Sequence, residues 1–268
     1  MEGLIDTHCH LADASFENDL DLVINRALIA GVEKIVIPAV DLETSRRVVE
    51  LSSQYPQLYA AVGVHPEESS AFSDSQLPEL LSLAQETKVV AIGEIGLDFH
   101  YPPFDKDLQE RMFIEMLKLA AKVNKPVLVH SRDSIGVVLR KLETWLQELI
   151  ADGMSTMAKA PGILHAFEGN LKQASTAINL NFAIGLGGPI TYKNSTEKIM
   201  IARVTGLDHL VLETDAPYLP PHPYRGQRNE PAHIQEIAGK LAELKQQPIE
   251  VIAHETGITS KRILRLGE

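Results

Sequence analysis

The sequence predicts an α/β fold: a (β/α)8 barrel of the TIM type, regular or distorted, with extra helices at the C-terminal end. Eight short apolar segments alternate with amphipathic segments along 268 residues, and that length is typical of one such barrel. The alternative is a doubly wound open sheet, which normally has a glycine-rich turn after its first strand. Here that turn reads THCHLAD and contains no glycine, so the barrel is favoured.

Each predicted strand is short and mostly apolar, as expected of strands that are buried on both faces. In chain order the eight segments are GLIDTHC, KIVIPAV, LYAAVGVH, VVAIGEIG, PVLVHS, GILHAF, NFAIGLGG and HLVLETDA. No linker or low-complexity tract interrupts this alternation, so residues 1–268 are predicted to form a single domain.

The segments between the strands have helical periodicity, clearest at residues 19–30 and 108–123. Apolar residues recur at helix spacing in the second segment and indicate a packing face: Met112, Met116, Leu119 and Val123. The stretch DAPYLPPHPYRGQRNEP follows the last strand and predicts a long loop over the barrel mouth. Residues 249–266 predict one or two terminal helices packed on the barrel.

Composition limits the classes of function. The formal net charge is −11, which argues against a protein that coats long duplexes by charge but allows a few phosphates to be held locally. One cysteine cannot form an internal disulfide, which fits a reducing compartment. The sequence shows neither a leader-like start nor an apolar run of about 18 residues. We therefore expect a cytoplasmic protein without membrane contact.

The first predicted strand contains two histidines in LIDTHCHL. If this stretch is a strand, Asp6, His8 and His10 share one face, and Cys9 faces the other way into the core. Same-face neighbours lie roughly 7 Å apart, so both imidazoles can reach one metal ion. A lone H-x-H is more often a pair of hydrogen-bonded core histidines, and other ligands must be present to favour a metal.

Further polar residues end other predicted strands, at the barrel face where such enzymes carry their function. Seven residues able to bind metal occupy the ends of six strands: His8, His10, His65, Glu94, His130, His165 and Asp215. Each alone has a structural explanation, such as a buried hydrogen bond, a helix cap or a turn. Together, buried carboxylates and imidazoles would repel or stay unpaired without a cation among them. The pattern predicts a metal site.

The ligand types narrow the kind of metal. Imidazole and carboxylate without thiolate suit zinc, manganese, iron or magnesium. Glu94 is placed to bridge two ions, which the remaining ligands divide between them: His8, His10 and Asp215 for one, His130 and His165 for the other. Two ions about 3.5–4 Å apart can activate a water and stabilise the attacking and leaving oxygens in hydrolysis.

A family resemblance rests on the motifs IDTHCHL, GVHP, AIGEIGLDF, VLVHSRD, LHAFEG, LETDAP and RNEP. They resemble the signature set of the TatD-like metal-dependent deoxyribonuclease family, and they run in family order from residue 5 to residue 231. The resemblance implies an amidohydrolase-like barrel, a two-metal site and hydrolysis of phosphodiester bonds in DNA. It implies these metal ligands: His8, His10, Glu94, His130, His165 and Asp215. His65 matches a site histidine that is not usually a ligand.

Two departures from the family pattern stand out. The family often has H-C-F-S/T-G where this chain has HAFEG, and Glu168 adds negative charge near the expected mouth. His233 stands where the family often has tyrosine. A metal or base role is open to His233, but we expect a histidine on a helix surface.

The expected catalytic residues are Asp215, Glu94 and His65, with Asp215 as general base as well as ligand. Glu213 is expected to orient a ligand histidine or to be a carboxylate of the barrel core. Asp6 is expected to orient a neighbour. The groups considered for substrate phosphate are these: His65, Arg132 and Arg228, with Arg225 as an alternative. For each arginine a surface ion pair is the competing interpretation.

The sequence thus predicts a hydrolase that uses two divalent ions per chain, Mg, Mn or Zn, to cleave DNA or another phosphodiester. No obligate protein partner is evident. An amidohydrolase-type enzyme acting on a non-nucleic-acid ester, lactone or small phosphodiester is the main alternative, although Glu94 occupies the bridging place that a modified lysine fills in many of those enzymes. A non-catalytic barrel and a nucleic-acid-binding module without chemistry are less favoured, because every ligand is present and no aromatic-basic stripe is seen.

Overall fold

The computed structural model describes residues 3–267 and contains one sheet of eight parallel strands in sequential order. The strands are β1 (Leu4–Asp6), β2 (Val32–Pro38), β3 (Leu58–Val62), β4 (Val89–Asp98), β5 (Val127–Arg132), β6 (Gly162–Leu164), β7 (Ala183–Leu186) and β8 (Leu210–Leu212). Each strand pairs with the next. The predicted TIM-type barrel is confirmed.

Helices follow the strands and cover the outside of the barrel. They are α1 (Leu20–Ile29), α2 (Leu42–Gln54), α3 (Leu77–Ala84), α4 (Lys106–Val123), α5 (Ile135–Ala151), α6 (Ser155–Lys159), α7 (Leu171–Asn179), α8 (Thr196–Val204), α9 (Ile234–Lys245) and α10 (Ile249–Leu264). The packing face predicted for α4 is confirmed, because Met112, Met116 and Leu119 are buried. Within residues 3–267, no helix is both long enough and apolar enough to span a membrane.

The barrel is nearly closed, with a seam between β8 and β1. Their junction is made by backbone hydrogen bonds at and just beyond the strand ends: Thr7 N donates to Leu212 O at 3.0 Å, and Asp215 N donates to His8 O at 2.9 Å. A further bond joins His10 N to Ala216 O at 2.7 Å. The segment that carries the two histidines therefore runs beside the end of β8.

Several strands end earlier than predicted. β1 stops at Asp6, whereas the predicted segment extended through Cys9, and β3, β6 and β8 also end before the polar residues assigned to them. The strand ladder stops where the backbone starts to bond to side chains and loops. In contrast, β4 continues to Asp98, two residues beyond its predicted end.

The inside of the barrel contains an apolar layer with one residue from each strand: Ile5, Val36, Ala61, Ala91, Leu128, Ile163, Ala183 and Val211. Ile263 and Leu264 of α10 pack against this layer. Strand alternation places the next inward side chain two residues further on, which is polar in three cases: His130 in β5, His165 just after β6 and Glu213 just after β8. The apolar layer thus forms the floor beneath the polar strand ends.

Gly96 allows β4 and β5 to approach closely. Its φ is +145°, a backbone conformation that suits glycine, and an added Cβ would overlap the carbonyl oxygen of His130. We expect Gly96→Ala to lower the free energy of unfolding by about 3 kcal/mol or more, because strain and backbone displacement add. Urea denaturation measures the change. Gly136→Ala in α5, with only the Arg140 side chain nearby, is the control and should be neutral or stabilising.

Candidate metal centre

The carboxyl ends of the strands surround an open cavity of about 460 Å³. Six of the seven residues predicted from the strand ends line it: His10, His65, Glu94, His130, His165 and Asp215. The seventh, His8, is fully buried beneath them and lies 3.3 Å from Glu94. The structure therefore brings the whole predicted set together at one place.

Glu94 lies at the centre of this set. Its Oε2 atom is 3.3 Å from His8 Nε2 and 3.5 Å from His10 Nε2. Its Oε1 atom is 2.9 Å from His130 Nδ1 and 3.8 Å from His65 Nε2. The two oxygens of one buried carboxylate thus face two different groups of histidines, which is the arrangement expected of a bridging ligand.

His8 and His10 share a site for a different reason from the predicted strand alternation. Both lie beyond β1, and their Nε2 atoms are 3.2 Å apart. The buried Asp6 carboxylate accepts hydrogen bonds from His8 N at 3.3 Å and from the Thr214 amide and hydroxyl at 2.9 and 2.6 Å. Asp6 therefore ties the His8 segment to the segment after β8, in agreement with its expected orienting role.

Asp215 and His165 complete the ligand cluster. Asp215 Oδ1 is 3.5 Å from His10 Nε2 and 3.7 Å from His165 Nε2. The His165 ring stacks on His8 with 3.5 Å between centroids, and its Nε2 also lies 3.8 Å from Glu94 Oε1. His165 therefore faces both histidine groups, whereas the sequence assigned it to one.

Two further carboxylates contact the ligand histidines from behind. Glu213 Oε1 lies 3.2 Å from His165 Nδ1 and accepts a hydrogen bond from Ala166 N at 2.6 Å, which fits its expected orienting role. Asp98 Oδ2 lies 2.9 Å from His130 Nε2. Asp98 was not among the site residues predicted from the sequence. Asp98 could have been found from its position four residues after Glu94 in the same strand, because an even spacing places both side chains on one face.

Burial and mutual charge determine the protonation of the cluster. Burial opposes the charged form of His165, but the Glu213 and Asp215 carboxylates raise the pKa of His165 to about 10. Burial likewise opposes protonation of His130, but Asp98 and Glu94 raise its pKa to about 9. The carboxylates therefore hold positive charge on neighbouring imidazoles.

The bridging carboxylate stays ionised despite its burial. Burial would raise the pKa of Glu94, but His8 and His130 hold it well below its usual range. Burial would also raise the pKa of Asp215, which His165 and His10 lower. The cluster thus combines ionised carboxylates with imidazoles that lower their pKa.

His65 differs from the other histidines of the cavity. Burial lowers its pKa to about 4, so its ring is neutral at pH 7. The Glu67 backbone amide donates to His65 Nδ1 at 3.3 Å, which leaves the proton on Nε2. His65 Nε2 lies 3.8 Å from Glu94 Oε1, so this N–H is on the side of the ring that faces Glu94.

The arginines considered for substrate phosphate have different surroundings. Arg132 lines the cavity, with its guanidinium 4.7 Å from the Tyr101 ring centroid. Arg228 pairs with Asp19 at 2.7 Å and with Glu230 at 2.9 Å, and it is not among the residues that line the cavity. The structure does not support the predicted phosphate contact of Arg228, because its donors are already engaged in a surface ion-pair network.

The two departures from the family pattern do not line the main cavity, although the small pocket that Glu168 borders also includes Asp215. His233 ends a short 3-10 helix, where its ring stacks on Tyr224 at 3.8 Å and its Nδ1 lies 2.9 Å from Asn229 Oδ1. This is a structural role. Glu168 lies 4.0 Å from Lys198 and borders a neighbouring small pocket instead of the main cavity.

The donor set fits divalent cations. Three groups have closely spaced ligand atoms: His8, His10 and Glu94; His65, Glu94 and His130; and His8, His165 and Glu213. The first two groups share Glu94. Within residues 3–267, buried His8 Nδ1 and Glu213 Oε2 also have no hydrogen-bond partner. Converging imidazoles and ionised carboxylates suit zinc, manganese or magnesium.

Metal loading should expel protons. At pH 7 the pKa values of about 9 for His130 and about 10 for His165 keep both rings protonated, and an imidazole must be neutral to bind a metal ion. We expect release of about two protons per protein and tighter binding as pH rises from 7 to 9. Calorimetric titration with Zn²⁺ or Mn²⁺ in buffers of different ionisation enthalpy measures this. Binding heats that are identical in all buffers would contradict it.

Comparisons with known proteins agree with this geometry. The sequence profile of the family described as TatD related DNase matches residues 5–265. The chain is 38% identical to the uncharacterized metal-dependent hydrolase YabD of Bacillus subtilis, over 98% of this chain and 100% of that protein. It is 30% identical to the 3'-5' ssDNA/RNA exonuclease TatD of Escherichia fergusonii, over 98% and 100%. The crystal structure of YJJV, a TatD homolog from Escherichia coli K12, superposes with a TM-score of 0.90 at 34% identity, covering 98% of both chains.

Proposed function

Because the chain belongs to the TatD-related family of metal-dependent hydrolases, we propose that it hydrolyses phosphodiester bonds, with DNA as the expected substrate. One observation carries the proposal: the buried Glu94 carboxylate faces one histidine group with each oxygen. A carboxylate shared between two ligand groups can hold two ions close together, as two-ion hydrolysis requires.

The contacts around Glu94 indicate how the ligands would be divided between two ions. Glu94 would contact both ions, with His8, His10 and Asp215 on one side and His130 on the other. His165 would join from its position between the two groups. When bound, two divalent cations would lower the pKa of a water and neutralise charge on a phosphate. We propose Mg²⁺, Mn²⁺ or Zn²⁺, since all ligands are imidazoles or carboxylates.

The side chains around the ligands supply the remaining chemistry. Asp215 stays ionised and borders the cavity, so its carboxylate can accept the proton of the attacking water. Arg132 presents a guanidinium that can bind two phosphate oxygens. His65 is neutral at pH 7, and therefore its Nε2–H would donate a hydrogen bond to a phosphate oxygen. Asp98 and Glu213 hold the rings of His130 and His165.

A nucleic acid is the substrate class that the family relationship supports. The relative from Escherichia fergusonii is named an exonuclease of ssDNA and RNA. The net charge of −11 implies that a strand would be held near the mouth and not over a wide surface.

A substrate panel tests the proposal. Protein loaded with Mg²⁺, Mn²⁺ or Zn²⁺ is assayed with bis(p-nitrophenyl) phosphate, p-nitrophenyl acetate and a lactone. We expect the phosphodiester to have the highest kcat/KM. A preference for the carboxylic ester or the lactone, with no turnover of the phosphodiester under any ion, would instead place the enzyme among the amidohydrolase-type hydrolases.

A further inference from the structure

A second open cavity, of about 530 Å³, is formed by the loops that follow β7 and β8. Six residues line it: Tyr192, Lys193, Asn194, Ser195, His222 and Arg225. Because both loops follow the carboxyl ends of strands, this cavity opens on the same barrel face as the metal centre.

Tyr192 is held in place at the centre of this cavity. Its hydroxyl donates to the Pro220 carbonyl at 2.9 Å. The Arg225 guanidinium lies 4.1 Å from the centroid of its ring, and the His222 ring meets it edge-on at 6.1 Å. The result is an aromatic ring with a cation over one face.

The cations of this cavity are available to a ligand. Within residues 3–267, no carboxylate lines the cavity, and neither Arg225 nor Lys193 forms a salt bridge. Other arginines, such as Arg203, also have no salt bridge in that part of the chain, so the composition of the lining is what distinguishes this cavity. Two cationic side chains and a histidine without a carboxylate, in a chain of net charge −11, form a place that suits an anion.

One loop contributes residues to both this cavity and the metal centre. That loop starts at Asp215, passes Tyr218 on the wall of the metal cavity, and reaches Arg225. A second arginine–tyrosine pair, Arg132 over Tyr101, lies on the wall formed after β4 and β5. Two such pairs therefore stand at the mouth, one following β4 and β5 and the other following β7 and β8.

We propose that Tyr192, Arg225, Lys193 and His222, here called the Tyr192 platform, bind the nucleotides of a single-stranded nucleic acid that adjoin the phosphate at the metal centre. Single strands are held by aromatic rings on which bases stack and by cations along the backbone, without need of base sequence. The Tyr192 platform combines both features. The inference rests on the proposed function for its substrate class, and it assigns the surface that binds the strand.

Binding without turnover tests the platform separately from the chemistry. Fluorescence anisotropy measures the Kd of a labelled single-stranded DNA decamer for the full-length protein in EDTA, over a range of salt concentrations. The variants are Tyr192→Leu, Tyr192→Phe and Arg225→Ala. Arg203→Ala is the matched control, since Arg203 is exposed in the last turn of α8, at the far end from the platform.

We expect Tyr192→Leu and Arg225→Ala each to raise Kd roughly tenfold, because a stacked base and a phosphate contact are lost. Tyr192→Phe keeps the ring and should bind within about twofold of the parent protein. Arg225→Ala should also reduce the slope of log K against log salt by about 0.7, the value for one phosphate contact on a single strand. Arg203→Ala should change neither quantity.

Three results would overturn the platform: a parent protein that does not bind the decamer, Tyr192→Leu and Arg225→Ala proteins that bind like the parent, or an equal loss in Arg203→Ala. Decamer cleavage by metal-loaded parent protein, with Tyr192→Leu and Arg225→Ala proteins that bind like the parent, would reject the platform alone. Decamer binding that depends on the platform, without hydrolysis of any phosphodiester, would support the platform and reject the proposed function.

Discussion

Replacing Glu94 by glutamine is expected to lower kcat/KM for a phosphodiester by about 10³-fold or more. The amide keeps the size of the side chain but removes the negative charge that both histidine groups face at 2.9–3.5 Å. It also replaces one of the two oxygens with a nitrogen that cannot bind a cation. Steady-state kinetics on bis(p-nitrophenyl) phosphate and metal analysis of the purified variant measure the two effects.

Glu67→Gln is the matched control for that variant. Glu67 lines the same cavity, but its side chain is 54% exposed and lies 3.8 Å from His65 alone among the cluster. The Glu67→Gln protein should have a kcat/KM within about threefold of the parent value, since an exposed charge is screened. A Glu94→Gln protein with parental metal content and activity would show that Glu94 does not join the two groups.

Asp215→Asn is expected to reduce kcat by about 10²- to 10⁴-fold, the usual range for loss of a general base. The Asp215 carboxylate lies 3.5 Å from His10 and 3.7 Å from His165, and it is ionised at neutral pH. Asparagine cannot accept the proton of a water. The pH dependence of kcat and the metal content of the variant should be measured together, because Asp215 is also an expected ligand.

The control for this second variant is Asp13→Asn. Asp13 lines the same cavity, and its side chain bonds to Ser15 N at 2.8 Å instead of to the ligand cluster. We expect parental kcat for Asp13→Asn. Parental kcat in Asp215→Asn, with metal still bound, would assign the proton transfer to another group.

The order and number of strands were predictable because each strand is a short apolar run, and burial on both faces leaves that local pattern. The positions at which the strands end could not be predicted from that pattern. β1 stops at Asp6, whose carboxylate accepts hydrogen bonds from Thr214, 208 positions away along the chain. Such a contact leaves no trace in local periodicity, so the two histidines were assigned to a strand that ends before them.

The ligand set was predictable for a related reason. Polar residues at the ends of apolar runs meet at one face of a barrel, whatever the detail of each end. The surrounding contacts depend on distant parts of the chain. Arg228 pairs with Asp19, 209 positions away, and Tyr192 meets Arg225 from a separate loop. Only the folded structure shows which arginines pair with a carboxylate and which do not.

The central claim is a metal-dependent cleavage of phosphodiesters that requires Glu94. Its most direct test uses metal-stripped protein and single-stranded DNA oligonucleotides, with Mg²⁺, Mn²⁺ or Zn²⁺ restored separately and Glu94→Gln run in parallel. We expect no cleavage without metal, cleavage on restoring at least one ion, and none in the variant. Cleavage that persists in Glu94→Gln, or protein that binds two ions and cleaves no phosphodiester, would contradict the account.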